Sequence, residues 1–296
     1  GAFIAMTKSG KNAFSHSLVD LCVYPKITNI TLNIGADKLK DLECIRNIID
    51  DCDKKLVEVL ERRLKAVLDV SEYKKRHKLP IYQPEREENV LKKVNSYLKY
   101  GEFSHELELL YQRILKISKK LQSKYLFPFN IVLIGFMGSG KTSVGTELST
   151  LLQMDYIDTD DIITENSGMS INEIFSAYGE TRFRNLETKA IESLQDFRNT
   201  IISCGGGVVL NPKNVDLLKN NGRIVWLKVS PKEVYNRLSG DDNRPLLKDN
   251  FTMEKLSQIL EDRLPLYENA GDIIIDTDGK NVQEIAKEIV EGLLDY

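Results

Sequence analysis

The rhythm of apolar and polar positions changes twice along the chain. In residues 1 to about 36 the two are mixed. Only Ile27-Thr-Asn-Ile-Thr-Leu-Asn-Ile34 alternates as a strand would, bracketed by Pro25 and Gly35. From 37 to about 125 strand signals are weak, and the pattern predicts helices throughout. Leu42, Ile45, Ile49, Cys52, Leu56, Leu60, Val67 and Val70 recur at three-four spacing, which predicts one long helix from about Ala36 to Lys75. A helix of that length needs long partners to pack against. Leu79-Pro-Ile-Tyr-Gln-Pro84 breaks the pattern. Pro84 suits the first turn of a second helix, to about Tyr100. Gly101 ends it, and Ser104 is placed to cap a third helix, to about Lys124. Phe127-Pro-Phe129 reads as a linker. Beyond it, short apolar runs at Ile131–Ile134, Thr200–Ser203, Arg223–Val229 and Asp272–Asp276 alternate with helical stretches. That order argues a parallel sheet with helices on both faces. Three regions result: 1–36, with no functional reading; 37–126, all helical; and 127–296, α/β.

The bulk numbers agree with two domains and add few constraints. The chain has 296 residues, a net charge of −3, 42% hydrophobic and 29% charged residues. Nothing in that balance points to nucleic acid, and no apolar run suits a membrane span. Cys22, Cys44, Cys52 and Cys204 show neither CxxC spacing nor a paired histidine pattern. Free thiols in a reducing cytoplasm are the expectation. Gly1-Ala-Phe-Ile-Ala-Met6 is too short for a signal peptide, and a chain opening on glycine is read as trimmed, tagged or cut from something longer.

Gly135-Phe-Met-Gly138-Ser139-Gly140-Lys141-Thr142 fits GxxxxGK[ST] after a strand and before a helix, the context this phosphate-binding loop requires. Its glycines let backbone N–H groups wrap a phosphate, and the helix starting near Lys141 adds its positive end. Lys141 is expected to bridge the β- and γ-phosphates, and the Thr142 hydroxyl to ligate Mg²⁺. Four further patches follow. Asp158-Thr-Asp160 puts two carboxylates at i and i+2 on an extended end, one suited to orient Mg²⁺ and the other to a substrate hydroxyl. Gly179-Glu-Thr-Arg-Phe-Arg184-Asn-Leu-Glu187 is a helix start with an arginine suited to a carboxylate. Ser203-Cys-Gly205-Gly206-Gly207 allows close backbone approach. Arg244-Pro-Leu-Leu lies in a polar stretch, and Arg263 precedes Leu-Pro-Leu-Tyr267. Singly, each reads equally well as a solvated loop, a surface arginine or a turn.

In this order and behind a P-loop, GFMGSGKT, DTD, GETRFRNLE, CGGG, RPLL and RLPLY resemble shikimate kinase over 129–296. The resemblance implies a nucleoside-monophosphate-kinase-like, three-layer fold with a lid at about 239–251. It implies ATP on Gly138, Ser139, Gly140, Lys141, Thr142 and Ser143, with Arg237 on the adenine. Asp160, Arg184, Gly206, Gly207 and Arg263 would hold shikimate, Arg184 and Arg263 clasping its carboxylate. Asp158 would orient Mg²⁺ through water and assist deprotonation, and Arg244 would close over the phosphates. A gluconate-type kinase would share the P-loop but is not expected to pair GETRFRNLE with CGGG.

In the helical half, charged and polar groups interrupt the apolar stripes. Arg63 and Lys74 continue the stripe of the long helix. Glu87 shares one with Leu91, Val94 and Leu98. Ser118 and Gln122 are i, i+4 neighbours. Buried, such groups must pair with each other or line a polar pocket; otherwise they are snorkelling tips. Arg46, Arg63, Lys74, Arg86, Glu87, Ser118 and Gln122, with LPIYQPEREENVL, resemble the all-helical AroQ-type chorismate mutases over about 39–125. The resemblance implies rearrangement of chorismate to prephenate. Arg46, Arg63 and Arg86 would hold the carboxylates, Lys74 and Gln122 the ether oxygen, and Glu87 the ring hydroxyl. Gln83 stands where relatives often carry Asp, which is harmless if that position acts through its backbone N–H. Arg46 and Lys74 are 28 residues apart, about 42 Å on one straight helix at about 1.5 Å per residue. Arg46 can therefore serve the site only from a second, antiparallel chain, which matches the family's intertwined dimer. The expectation is a bifunctional enzyme acting on shikimate, ATP and chorismate. The alternative is a kinase whose helical half only dimerises or senses chorismate or prephenate.

Overall fold

The computed structural model describes residues 42–77, 79, 83–238 and 252–295. The segment 1–36, the strand expected at Ile27–Ile34 and the expected lid with Arg244 lie outside the described residues, as does Cys22. By contacts the chain falls into two units, Gly1–Val57 and Glu58–Tyr296.

The helical part is α1 (Leu42–Arg76), α2 (Pro84–Ser96) and α3 (Ser104–Leu126). Two details differ from the sequence reading. The second helix stops at Ser96, with Tyr97 closing its last turn. Ser104 is the first residue of α3 rather than its cap: a 3-10 turn over Gly101–Phe103 leads in, and no side chain caps the helix. The expected linker is not a loose one either. Phe127 is fully buried beside Leu126, Ile131 and Leu133, so α3 runs directly into the α/β core.

That core is built from β1 (Asn130–Ile134), α4 (Lys141–Leu152), β2 (Asp155–Asp158), α5 (Thr159–Ser167), α6 (Ile171–Ser193), β3 (Thr200–Ser203), α7 (Pro212–Lys219), β4 (Gly222–Lys228), α8 (Pro231–Leu238), α9 (Met253–Ala270), β5 (Ile273–Asp276) and α10 (Val282–Leu294). The strands form one parallel sheet in the order β2-β3-β1-β4-β5. Successive residues point to opposite faces. Val132, Ile134, Ile202, Ile224 and Trp226 pack with α6, α7, α8 and α9 on one side. Ile131, Leu133, Ile201, Val225 and Leu227 pack with α4 and α10 on the other. Burial on both faces explains why these strands read as continuous apolar runs. β2 is the strand the hydrophobic pattern shows least, because its residues are only partly covered. Among the described residues no helix is long and apolar enough to cross a membrane. Cys44 and Cys52 are exposed and Cys204 is buried, all without a disulfide.

Candidate functional site

The carboxyl ends of β1, β2 and β3 converge on a cavity of about 400 Å³. Met137, Gly138, Gly140, Lys141, Thr142 and Ser143 line it from the loop after β1 and the start of α4. Asp158 and Asp160 line it from β2–α5, Ser203 to Gly206 from the turn after β3, and Arg237 from α8. An open α/β sheet binds ligands at this end of its strands.

The phosphate loop has the backbone its glycines predict. Gly138 and Gly140 have φ of 74° and 89°, a conformation with little steric cost only for glycine. At Gly135 a Cβ would lie 2.7 Å from the Leu227 carbonyl. The Lys141 ammonium donates to the Gly135 and Phe136 carbonyls at 2.9 and 3.0 Å, curled over the loop it belongs to. Arg237 is fastened beside the loop, donating to Gly138 O at 3.1 Å, to Thr277 O at 3.0 Å and to Glu233 at 2.9 Å.

The DTD segment differs from its extended reading. Asp158 ends β2 and caps α5: its Oδ1 accepts from the Asp160 N–H at 3.0 Å, so Asp160 sits in the first turn of a helix. The two carboxylates are separated by a capped turn, not aligned along a strand. Asp160 Oδ1 is buried and has no hydrogen-bond partner. Burial first, and then the neighbouring Asp158, push Asp160 up to about 6. An acceptor without a donor facing a polar cavity is suited to a ligand hydroxyl.

Behind the turn after β3, and not among the residues that line the cavity, are Arg184, Gly207 and Arg263; α6 is kinked at Gly179 (φ 75°), so the expected helix start is a restart within one helix. Arg184 follows the kink. It donates to both oxygens of Glu187 at 3.1 Å and to Glu180 at 3.0 Å. A Cβ at Gly207 would overlap the Arg184 guanidinium where it lies. Arg263 from α9 reaches the same turn and donates to Gly206 O at 3.4 Å, as Tyr267 OH also does. Arg184, Arg263 and the triple glycine are thus brought together from three separate stretches of chain. Glu187 and Tyr267 were not singled out by sequence. Glu187 stands three residues after Arg184, the spacing of a helical partner.

A second cavity, of about 280 Å³, lies among the helices. Arg63, Val67, Val70 and Lys74 line it from α1, and Arg86 and Glu87 from α2. Ser118, Lys119 and Gln122 line it from α3, and Gln83 from the α2 entrance. Gln83 is the α2 N-cap residue but caps nothing with its side chain. Arg63 donates to the Ser118 hydroxyl at 2.6 Å. Lys119, which the sequence reading passed over, pairs with Glu87 at 3.2 Å. Burial lowers Lys74 from the usual lysine range, and Glu87 partly offsets this. Around this cavity four cations face one carboxylate. Arg46 is on α1 in the first unit and is exposed.

Among the described residues no group of three or more His, Cys, Asp or Glu could hold a metal ion by itself. A cation at the phosphate loop must therefore complete its shell with ligand oxygens and water. The Thr142 hydroxyl and Asp158 carboxylate are among the hard donors that line the cavity.

A family model described as Shikimate kinase matches residues 137–294. The chain belongs to the shikimate kinase family. A shikimate kinase of Thermodesulfovibrio yellowstonii is 44% identical over 162 residues, 55% of this chain and 93% of that protein. Another, from Geobacter sulfurreducens, is 46% identical over 160 residues, 54% of this chain and 88% of that protein. Among solved structures, the shikimate kinase of Acinetobacter baumannii in complex with shikimate matches with a TM-score of 0.55 and 33% identity, covering 58% of this chain and 97% of that one. A second model, Chorismate mutase type II, matches residues 45–123. One chain thus joins a shikimate kinase, of a family that uses ATP, to a chorismate mutase, two activities of the shikimate pathway.

Proposed function

We propose that the 400 Å³ cavity transfers the γ-phosphoryl group of ATP to a shikimate hydroxyl, and that the 280 Å³ cavity converts chorismate to prephenate. The observation that carries the first is the convergence on one turn, Gly205–Gly207, of the buried Asp160 acceptor and the arginines Arg184 and Arg263. Two cations and one unpartnered carboxylate oxygen suit a small hydroxylated carboxylate.

In this reading Gly138 to Ser143 hold the phosphates by backbone N–H groups. Lys141 swings from the loop carbonyls to the β- and γ-phosphates, and Arg237 flanks the base. Thr142 and Asp158 would hold Mg²⁺, which neutralises charge on the phosphates. Asp160 accepts from the ring hydroxyls, and Arg184 and Arg263 fix the carboxylate so that the hydroxyl lies in line. Asp158 would also assist deprotonation. Arg244, outside the described residues, would close over the phosphates.

For the mutase, Arg63 and Arg86 hold carboxylates, Lys74 and Gln122 the ether oxygen, and Glu87 the ring hydroxyl. Ser118 orients Arg63. No nucleophile is required, because fixing the compact conformer and stabilising separating charge suffice. Gln83 is suited to act through its backbone. Arg46 would come from a second copy. The apolar positions Leu42, Ile45, Ile49, Leu56 and Val70 along α1 are exposed, as a helix covered by a partner requires. We take 37–126 and 127–296 as the two domains and the cytoplasm as their compartment. A dimerisation-only role for the helical half is not favoured, since its polar groups line one cavity, and a sensing role would bind chorismate there without turning it over. The test is a two-substrate assay on the full chain. Shikimate-dependent ADP release should vanish in Lys141→Ala, and loss of chorismate absorbance should vanish in Arg63→Ala. Turnover that survives either change overturns that half of the reading.

A further inference from the structure

Tyr156 of β2 holds one of the side chains proposed for the metal and lies beside the other. Its ring lies on α4 where Gly145 leaves room: a Cβ at Gly145 would overlap it. Gly145 is three residues after Thr142 and so on the same helix face. The Tyr156 hydroxyl donates to Asp158 Oδ2 at 3.2 Å. The Thr142 and Ser203 side chains lie beside the same phenol. Ser203 is the β3 residue directly opposite Asp158 in the sheet, so this cluster is held by strand register and not by loops.

A threonine hydroxyl that ligates a cation through a lone pair must direct its proton elsewhere. A phenol oxygen can accept that proton while donating its own. Asp158 is then fixed from the protein side at both oxygens, Oδ1 by the Asp160 N–H and Oδ2 by Tyr156. We propose that Tyr156 is a positioning residue for the metal: its hydroxyl holds Asp158, and would accept from Thr142 when that residue turns a lone pair to a divalent cation on the nucleotide phosphates. Phenylalanine would fill the same space on Gly145 and leave the two ligands unlinked. The proposal rests on Thr142 and Asp158 holding Mg²⁺.

Tyr156→Phe in the full chain tests it. ADP binding is measured by calorimetry with and without Mg²⁺. The variant should lose roughly ten-fold of the strengthening that Mg²⁺ gives, since partners behind a metal ligand commonly carry that much. ADP binding without metal should be unchanged. In the kinase assay the Mg²⁺ concentration for half-maximal rate should rise while the KM for shikimate holds. Unchanged metal-free ADP binding also reports that the kinase half is folded. Equal Mg²⁺ enhancement in both proteins overturns the proposal. So does a loss of ADP affinity that is the same with and without metal, which would mean packing alone. Should wild type itself show no Mg²⁺ enhancement, the metal reading falls first, and Tyr156 with it. Should Tyr156→Phe fail to fold, Tyr156→Met, which also lacks the hydroxyl and adapts to the space, must lose the same Mg²⁺ enhancement, and no loss overturns the proposal.

Discussion

Arg184 lies against the fully buried carboxylate of Glu187, with Nη1 3.1 Å from each oxygen. Burial holds Glu187 above the usual carboxylate range despite the attraction of the arginine. Desolvation therefore outweighs pairing, and the pair is a device for orientation more than for stability. Glu187→Gln should cost little stability, about 1 kcal/mol by the usual worth of one hydrogen bond. It should raise the KM for shikimate roughly ten-fold through a slackened arginine, the size expected for small misplacements. Thermal unfolding and substrate titration on one sample separate the two effects.

Asp160 gives a pH signature. Its carboxyl is pushed up to about 6 from an ordinary 3.8. Between those values the folded chain binds more protons than the unfolded one, so this group's contribution to stability falls as pH rises from about 4 to 6. Shikimate binding should move the opposite way, since the ionised form is the better acceptor. The KM for shikimate is expected to drop as pH passes through 6 towards 7, and Asp160→Asn should flatten that dependence.

In the helical cavity, Lys119 sets the orientation of Glu87 through their 3.2 Å contact. Lys119→Met should lower chorismate turnover about ten-fold by analogy with other charged hydrogen-bond deletions. Lys119→Arg should retain most of it, and neither should alter the kinase. Burial lowers Lys74, so the alkaline limb of kcat/KM for chorismate should lie below the usual lysine value of 10.5.

The proposed dimer makes the fourth prediction. Arg46→Ala and Lys74→Ala should each abolish mutase activity. If Arg46 serves the partner's cavity, re-mixing the two variants after unfolding should restore about a quarter of wild-type activity, because half the dimers then carry one intact site. No recovery would show that Arg46 acts within its own chain or not at all.

The helical and α/β halves were legible because their cores are periodic. Three-four spacing marks α1, and the sheet's two-sided burial makes β1, β3 and β4 visible as apolar runs. The P-loop was legible for a related reason: its glycines answer a local backbone demand. β2 was faint because it is partly exposed, and Ser104 misled because a 3-10 turn enters α3 instead of a cap.

Chemistry that depends on side chains meeting across the fold was another matter. The sequence by itself determined which residue types are present and which backbone turns are possible. Only the tertiary structure decided that Asp160 lies against Gly205, that the Arg184 guanidinium lies over Gly207, and that Lys119 meets Glu87. The same holds for Tyr156, whose ring packs on Gly145 of α4. Local backbone preferences are written in short windows of sequence. These contacts join groups on different strands and helices, and packing alone fixes their distances and the burial that sets their charge.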